Sequence, residues 1–266
     1  MIRAAVVAAL VVAFATPAQA ADAPAPAPPT SLVVALSLGD TGLQAGVLRG
    51  REVILARGFE VELARILSRR LGGRVERFVD VRSAGRLLAS GAPGWHLALA
   101  SIEPSGVRRA GVALSTPYLT TDMAIVLRRG LDRPRRLADL RRRLVCVMRG
   151  SDALPVVGRA IRPDRAPLVA PGRERLRSLL RTGACDAAVL PVADVGRLLA
   201  RERGLIGPVA GRIRNGKGLV IAIATGTGLE RALVDRELAR IRADGTLGRL
   251  ARSWLGLDPA ALPRLR

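Results

Sequence analysis

Residues 59–71, FEVELARILSRRL, carry apolar side chains at nearly helical spacing, and Gly72 follows as a natural stop for a helix. On either side, LVVAL at 32–36 and VERFVDV at 75–81 are short runs of mainly apolar and β-branched residues, which is typical of strands. A strand, a helix and a second strand in this order form a βαβ unit. The stretch therefore predicts an α/β protein with largely parallel sheets.

The same alternation of strand and helix continues over the rest of the chain. It predicts further strands at 96–100, 144–148, 167–170 and 187–190, helices at 83–89 and 174–181, and a helix capped by Ser151. These elements form two similar halves. We therefore expect two Rossmann-like lobes.

Two apolar runs, 122–127 and 218–224, lie at the borders between these halves and are predicted to cross from one lobe to the other. Helices predicted at 229–241 and 247–255 follow the second crossing, and we expect them to pack back on the first lobe because that lobe otherwise lacks its closing layer. The predicted division places residues 32–122 and 222–266 in lobe 1 and residues 126–218 in lobe 2.

The amino terminus has the pattern of a signal peptide. Arg3 precedes an apolar run at 4–14, and the small-residue site Ala18-Gln19-Ala20 follows. The run is too short to cross a bilayer, which takes about 20 residues. We expect residues 1–20 to be removed, residues 21–31, rich in Ala and Pro, to form an extended tether, and the protein to enter the periplasm.

The formal charge of +21 falls to +20 without Arg3, so an anionic partner has to be considered. All but one of the 43 basic residues are arginine, and they are spread over the predicted helices, which indicates solvated helix faces. The densest run, Arg133–Arg143, either touches an anionic surface or is one more solvated face. With only six aromatic residues for stacking, we expect no nucleic-acid partner.

Cysteine and histidine are scarce. Cys146 and Cys185 either form one disulfide in an oxidising compartment or remain two buried thiols. His96 is the only histidine, and no Cys or His pair has ligand spacing, so we expect no metal site, no cofactor and no histidine-dependent hydrolase.

Several local motifs are similar to those of bacterial extracellular solute-binding proteins of family 3, which serve polar amino-acid ABC transporters. The motifs are GFEVELA at 58–64, STPY at 115–118, GLVIAI at 218–223, ADGT at 243–246 and SWLG at 253–256. The resemblance covers essentially the whole chain after the tether. It implies a type-II periplasmic binding protein fold that closes on a small polar solute.

The resemblance also implies a site for a carboxylate. Arg108 matches the arginine that clamps the α-carboxylate of an amino acid, and a guanidinium can pair both oxygens at once. Ser101 and Ser105 match hydroxyl-bearing positions before it. Gly150-Ser151 matches a turn at a helix start, where free N–H groups favour an anion.

Three departures separate this chain from the family pattern. Pro191 stands where the family places an aspartate for the α-ammonium group, and Asp194 is a substitute or a helix N-terminal acid. Glu103 stands where the family prefers Ser or Thr, and it either receives a cation or pairs with Arg108. No aromatic residue occurs at 37–57, where one usually packs on the ligand.

The sequence therefore predicts a non-enzymatic, monomeric binding protein that delivers a small carboxylate-bearing solute to an ABC permease in the inner membrane. One alternative is an accessory protein that uses the two lobes to dock another periplasmic protein. A lesser alternative is a lyase similar to cyclohexadienyl dehydratases, in which Glu103 would be the acid.

Overall fold

The computed structural model describes residues 27–39, 42–83, 85, 87, 94–104, 111–200, 204 and 206–266. The predicted signal peptide, most of the predicted tether, Ser105, Arg108 and most of the helix expected at 83–89 lie outside these residues. Within them, no helix is long and apolar enough to span a bilayer.

Thirteen strands occur in the described part of the chain. They are β1 Ser31–Leu36, β2 Ala45–Arg49, β3 Glu52–Arg57, β4 Arg74–Asp80, β5 Leu97–Ile102, β6 Val112–Leu114, β7 Leu119–Thr120, β8 Met123–Arg128, β9 Val145–Met148, β10 Leu168–Ala170, β11 Ala187–Pro191, β12 Ile206–Ile213 and β13 Gly218–Ala224.

The helices follow the strands in the expected alternation. The α-helices are α1 Phe59–Arg70, α2 Ala153–Ala160, α3 Arg173–Thr182, α4 Val195–Leu199, α5 Arg231–Ala243 and α6 Thr246–Leu255, and single 3-10 turns occur at Leu137–Leu140, Val192–Asp194 and Pro259–Ala261.

The strands form two sheets. The first has eight strands in the order β2-β3-β4-β1-β5-β13-β6, with β7 also paired to β13, and the second has five in the order β10-β9-β11-β8-β12. Each sheet contains three parallel strands, β4-β1-β5 within the first and β10-β9-β11 on one side of the second. The expected parallel strands are present, but antiparallel strands adjoin them on both sides in the first sheet and on one side in the second, so the sheets are mixed.

Both faces of the first sheet are covered. Leu32, Val34 and Leu36 of β1 pack on one side with α1, α5 and α6, whereas Val33 and Ala35 pack on the other side near Trp95. Alternate residues of a strand face opposite sides, so a strand covered on both faces reads as a continuous apolar run. This explains the unbroken apolar sequence of β1, and of β13, which is buried along its whole length.

Two chain segments cross between the sheets, at 121–122 and 214–217. The Asp122 carboxylate is buried, accepts a hydrogen bond from the backbone N–H of Asn215 at 3.0 Å and pairs with the Arg212 guanidinium at 2.5 Å. The Thr121 N–H donates to the Lys217 carbonyl at 3.3 Å. The two crossings are thus bound to each other.

The last residues depart from the expected division, which placed everything after 222 with the first lobe. The Arg212 N–H donates to the Pro263 carbonyl at 2.9 Å, the Leu137 N–H donates to the Arg266 carbonyl at 3.0 Å, and Leu265 is buried in the core of the second sheet. The spacing of apolar residues in the helices could not predict this return. The tail is short and irregular, and its position depends on packing beside the edge strand β12. The chain therefore crosses a third time.

Cys146 of β9 and Cys185, just before β11, form a disulfide with Cα atoms 6.0 Å apart. Both residues are fully buried, and β9 and β11 are neighbouring strands. The disulfide joins two parts of the second sheet that lie 39 residues apart in the sequence.

Candidate functional site

A cavity of 330 Å³ is lined by residues from both sheets, at the carboxyl ends of their parallel strands. Ser101 and Glu103 lie at and just beyond the end of β5, Gly150 and Asp152 follow β9, and Asp194 follows β11. Leu43, Leu119, Met123 and Leu219 supply an apolar wall. Small molecules bind in clefts at this edge of α/β sheets, so the cavity is the candidate site.

Two larger depressions lie elsewhere, with volumes of 510 and 420 Å³. The first runs between β3, β4 and α1, and the second lies between the strand pair β7–β13 and the carboxyl-terminal helices. Neither contains a residue of the second sheet among its described lining residues. A cavity walled by both sheets would change its shape when the sheets move relative to each other.

A buried carboxylate supports one wall of the cavity. Glu60, in the first turn of α1, is fully buried and accepts hydrogen bonds from the Tyr118 hydroxyl at 2.6 Å and from the Ser101 hydroxyl at 3.1 Å. It also accepts from the Ser101 backbone N–H at 3.2 Å and from the Gln44 side-chain amide. Three separate segments of the chain therefore donate hydrogen bonds to one side chain.

Ser101 is held in an unusual backbone conformation by this network. Its φ is 52°, in the left-handed region that non-glycine residues rarely adopt. Such strain persists only where the surroundings fix it, and here both its N–H and its hydroxyl are bound to Glu60. Glu60 thus acts as a positioning residue for a residue that lines the cavity.

Burial raises the pKa of Glu60 above its usual 4.5, and the hydrogen bonds from Tyr118, Ser101 and Gln44 oppose this shift. The folded protein then binds the proton more tightly than the unfolded chain does. We expect the stability contributed by Glu60 to be greatest below about pH 4.5 and to fall as the pH rises through the folded pKa. Urea unfolding of the wild type and of Glu60→Gln between about pH 4 and 7 checks this, since the wild type alone should lose stability; a gain with rising pH would contradict it.

Lys217 connects the two sheets at the cavity. Its ammonium lies 3.2 Å from the Glu103 carboxylate, which follows β5, and 2.8 Å from the Asp152 carboxylate, which precedes α2. The hydrogen bond to Lys217 lowers the pKa of Asp152, and contacts with Asp152 and then Glu103 raise the pKa of Lys217. The sequence predicted that Glu103 receives a cation or pairs with Arg108. Among the described residues, the cation that contacts Glu103 is Lys217 of the chain itself.

Asp194 lines the cavity, but its carboxylate is already paired. The Arg173 guanidinium lies 3.1 Å from it, and only 6% of the Asp194 side chain is exposed. An α-ammonium group at this carboxylate would have to share it with Arg173. This arrangement weakens the interpretation of Asp194 as a substitute for the missing ammonium ligand at Pro191.

The Gly150-Ser151 turn lies where the sequence places it, between β9 and α2. Gly150 has a φ of 76° and lines the cavity, which suits a tight turn. The Ser151 hydroxyl donates to the Met148 carbonyl at 2.8 Å and accepts from the N–H of Ala153, the first residue of α2, at 3.4 Å. Asp152 occupies the N-cap position but makes no capping bond with its side chain.

Four of the seven predicted site residues, Ser101, Glu103, Gly150 and Asp194, line this one cavity, and Ser151 adjoins it. Ser105 and Arg108 lie outside the described residues. His96 is engaged elsewhere: its Nδ1 accepts a hydrogen bond from the Val33 N–H at 2.9 Å at the start of β5.

Comparison with protein families decides the assignment. Residues 55–257 match the family of bacterial extracellular solute-binding proteins, family 3. The chain belongs to this family. Its mixed sheets, parallel strands and crossing segments are those of the type-II periplasmic binding protein fold, as the sequence motifs implied. Sequence comparison with curated proteins gives no significant match.

Solved structures share the fold at low sequence identity. The unliganded open L-cystine solute receptor of Neisseria gonorrhoeae is 18% identical, with a TM-score of 0.68 over 87% of this chain and 95% of that one. The open substrate-binding domain 2 of Lactococcus lactis GlnP is 13% identical, with a TM-score of 0.69 over 88% and 99%. An ancestral cyclohexadienyl dehydratase is 17% identical, with a TM-score of 0.61 over 86% and 93%.

Sequence reasoning overlooked Glu60, Gln44, Asp152 and Lys217. A signal for Glu60 exists, because it occupies the same helical stripe as Leu63, Ala64 and Leu67, all of which are buried. An acid on an apolar stripe indicates a buried carboxylate with partners. No comparable signal marks Lys217, whose contacts depend on three separate segments.

Proposed function

We propose that this protein is a periplasmic solute-binding protein of an ABC importer that captures a small, carboxylate-bearing, amino-acid-like solute. The observation that carries the proposal is the cavity lined by both sheets at the carboxyl ends of their parallel strands, in a chain of this family. Closure of the sheets around such a cavity would bury a solute from water.

The proposed lobes follow the two sheets. One contains residues 32–122 and 222–256, and the other contains residues 126–218 with the tail 257–266, which packs on the second sheet. The crossings at 121–122 and 214–217 form the proposed hinge. This division differs from the sequence prediction only in the tail.

The proposed location and partners follow from the family and the amino terminus. A signal peptide at residues 1–20 would deliver the protein to the periplasm, and the closed form would dock as a monomer on a permease in the inner membrane. The high arginine content is no argument for a nucleic-acid partner, because the basic residues are dispersed along the chain.

The proposed function involves binding without catalysis. Glu103, the acid that a dehydratase-like reaction would need, is engaged by the Lys217 ammonium at 3.2 Å. The similarity to an ancestral dehydratase at 17% identity concerns the fold alone.

A thermal-shift screen of the purified protein against amino acids, organic acids and small peptides tests the proposal. A ligand present at 100 times its dissociation constant should add about 2.7 kcal/mol of stability. A screen without any hit would contradict solute capture and favour the accessory docking role.

Replacing Arg108 by alanine is expected to weaken binding of the solute found in that screen by about ten- to a hundred-fold or more. The family resemblance assigns to this residue a charge-assisted, bidentate contact with the carboxylate, and the substitution removes that contact. Isothermal titration calorimetry measures the change. Stability without ligand should stay nearly the same.

Arg109→Ala is the matched control, since it removes the same charge one residue away. It should bind almost normally. Equal losses in the two variants would show that positive charge in general attracts the solute, and normal binding in Arg108→Ala would refute the clamp.

A further inference from the structure

Two carboxylates from different sheets face each other across the rim of the cavity. Glu103 follows β5 of the first sheet and Asp152 precedes α2 of the second, and both line the cavity. Because each contacts the same ammonium group, their nearest oxygens lie at most about 6 Å apart. Such a pair is the chemistry that would hold an ammonium or guanidinium group of a ligand.

The chain places its own cation between the two carboxylates: Lys217, which lines the neighbouring 420 Å³ depression, contacts both. Lys217 is the only lysine of the protein, in a chain with 43 Lys and Arg residues in total. It extends from the second crossing segment, whose backbone is fixed to Thr121, and reaches both carboxylates. An ammonium is a compact point charge that can contact two acids at once, whereas a planar guanidinium needs a matched fork.

We propose that Lys217 is a specificity-determining residue: it occupies the cation subsite formed by Glu103 and Asp152 and so excludes solutes that carry a second positive group. The inference rests on the proposed solute-binding role of the cavity and deepens it. A solute with a neutral or short side chain leaves the Lys217 contacts intact. A solute with a distal cation must displace Lys217 or be repelled by its positive charge.

The local charges agree with this role. Asn215 supports Asp152 through its side-chain amide at 3.5 Å, so the acid is positioned by the same crossing segment that carries Lys217. Asp194, the other acid of the cavity, is paired with Arg173. Among the described residues that line the cavity, each of the three acids therefore contacts a cation of the chain, with Glu103 and Asp152 sharing Lys217.

The test compares L-arginine with L-citrulline, which has the same shape but a neutral side-chain end. In Lys217→Met the two acids lose their internal cation, and the ratio of arginine to citrulline affinity should rise about three- to ten-fold over the wild type, the scale expected for two half-exposed charge pairs. Calorimetry of both solutes on each protein gives the ratio. Methionine keeps the length of the side chain, and circular dichroism verifies the fold.

Arg214→Met is the matched control, because Arg214 is exposed on the same crossing segment and its substitution removes the same charge. Its ratio should equal that of the wild type, and adding Glu103→Gln to Lys217→Met should abolish the gain. An unchanged ratio in Lys217→Met, or no arginine binding to that variant, overturns the inference. Arginine binding by Lys217→Met, when the screen of the wild type finds no solute, would support the subsite while counting against the proposed function.

Discussion

Replacing Glu60 by alanine should lower the free energy of unfolding by about 3–5 kcal/mol. The substitution leaves the Tyr118 hydroxyl, the Gln44 amide and both donors of Ser101 without their shared acceptor, in a place from which water is excluded. Each buried donor without a partner costs about 1–3 kcal/mol, and part of this cost is recovered by local rearrangement. Urea unfolding at neutral pH measures the loss.

Glu62→Ala is the control on the same helix. Glu62 is part-exposed and pairs with Arg65 one turn away, so its removal should cost less than about 1 kcal/mol. Tyr118→Phe should fall between the two, because it removes a single donor and keeps the ring that stacks on Phe59. Equal midpoints for Glu60→Ala and Glu62→Ala would contradict a structural role of the network.

Loss of solute binding in Glu60→Ala should accompany the loss of stability. The strained Ser101 backbone is fixed by its two bonds to Glu60 and would relax without them. Measurement at low temperature, where the variant is still folded, separates this effect from unfolding. The conservative variant Glu60→Asp is expected to retain only part of the stability and part of the solute binding, because the shorter side chain does not reach all four donors.

Removing the disulfide should have an effect of similar size. The double replacement Cys146→Ala and Cys185→Ala frees a loop with a sequence separation of 39 residues, which costs about 4 kcal/mol through the greater entropy of the unfolded chain. Urea unfolding of the variant and of the wild type, each with and without a reducing agent, measures it. The reduced wild type should resemble the variant, and the variant should not respond to the reductant.

Mass spectrometry of alkylated, unreduced protein is the direct check. A bridged protein takes up no label, since Cys146 and Cys185 are the only cysteines. Two labelled thiols would contradict the bridge. In that case the double replacement should cost only the packing of two small buried side chains.

The central strands of the first sheet could be predicted because they are buried on both faces. β1, β5 and β13 appear in the sequence as short apolar runs, and helices of clear period separate them. The hairpin β2–β3 escaped prediction. Its exposed strands interleave arginines with apolar residues in no regular alternation, and Leu55 has a φ of 51°, which breaks the period of two.

β12 escaped prediction for a related reason. Gly207, Pro208 and Gly211 interrupt it, and its register with β8 shifts twice, so the sequence has the composition of a loop. Only the long neighbouring strand β8 and the returning tail give it a place in the sheet.

Residues that match or depart from family motifs were predicted for the site, whereas partners that come from distant segments were not. Ser101, Glu103 and Gly150 were named from the family resemblance, and all three line one cavity at the carboxyl ends of parallel strands. Asp194 also lines the cavity, yet its pairing with Arg173, 21 residues earlier, could not be read from spacing. Lys217 was noticed only as the lone lysine among arginines.

The returning tail changes the mechanics of any closure. Two strands that cross side by side let one body both swing and twist against the other. The third attachment, at Pro263–Arg266, lies beside that pair, because Arg212, which binds the Pro263 carbonyl, also binds Asp122 of the first crossing. Gly196 in α4 also approaches Leu255 at the end of α6 closely. While these contacts hold, we expect rotation about the crossings to be the one large motion left free.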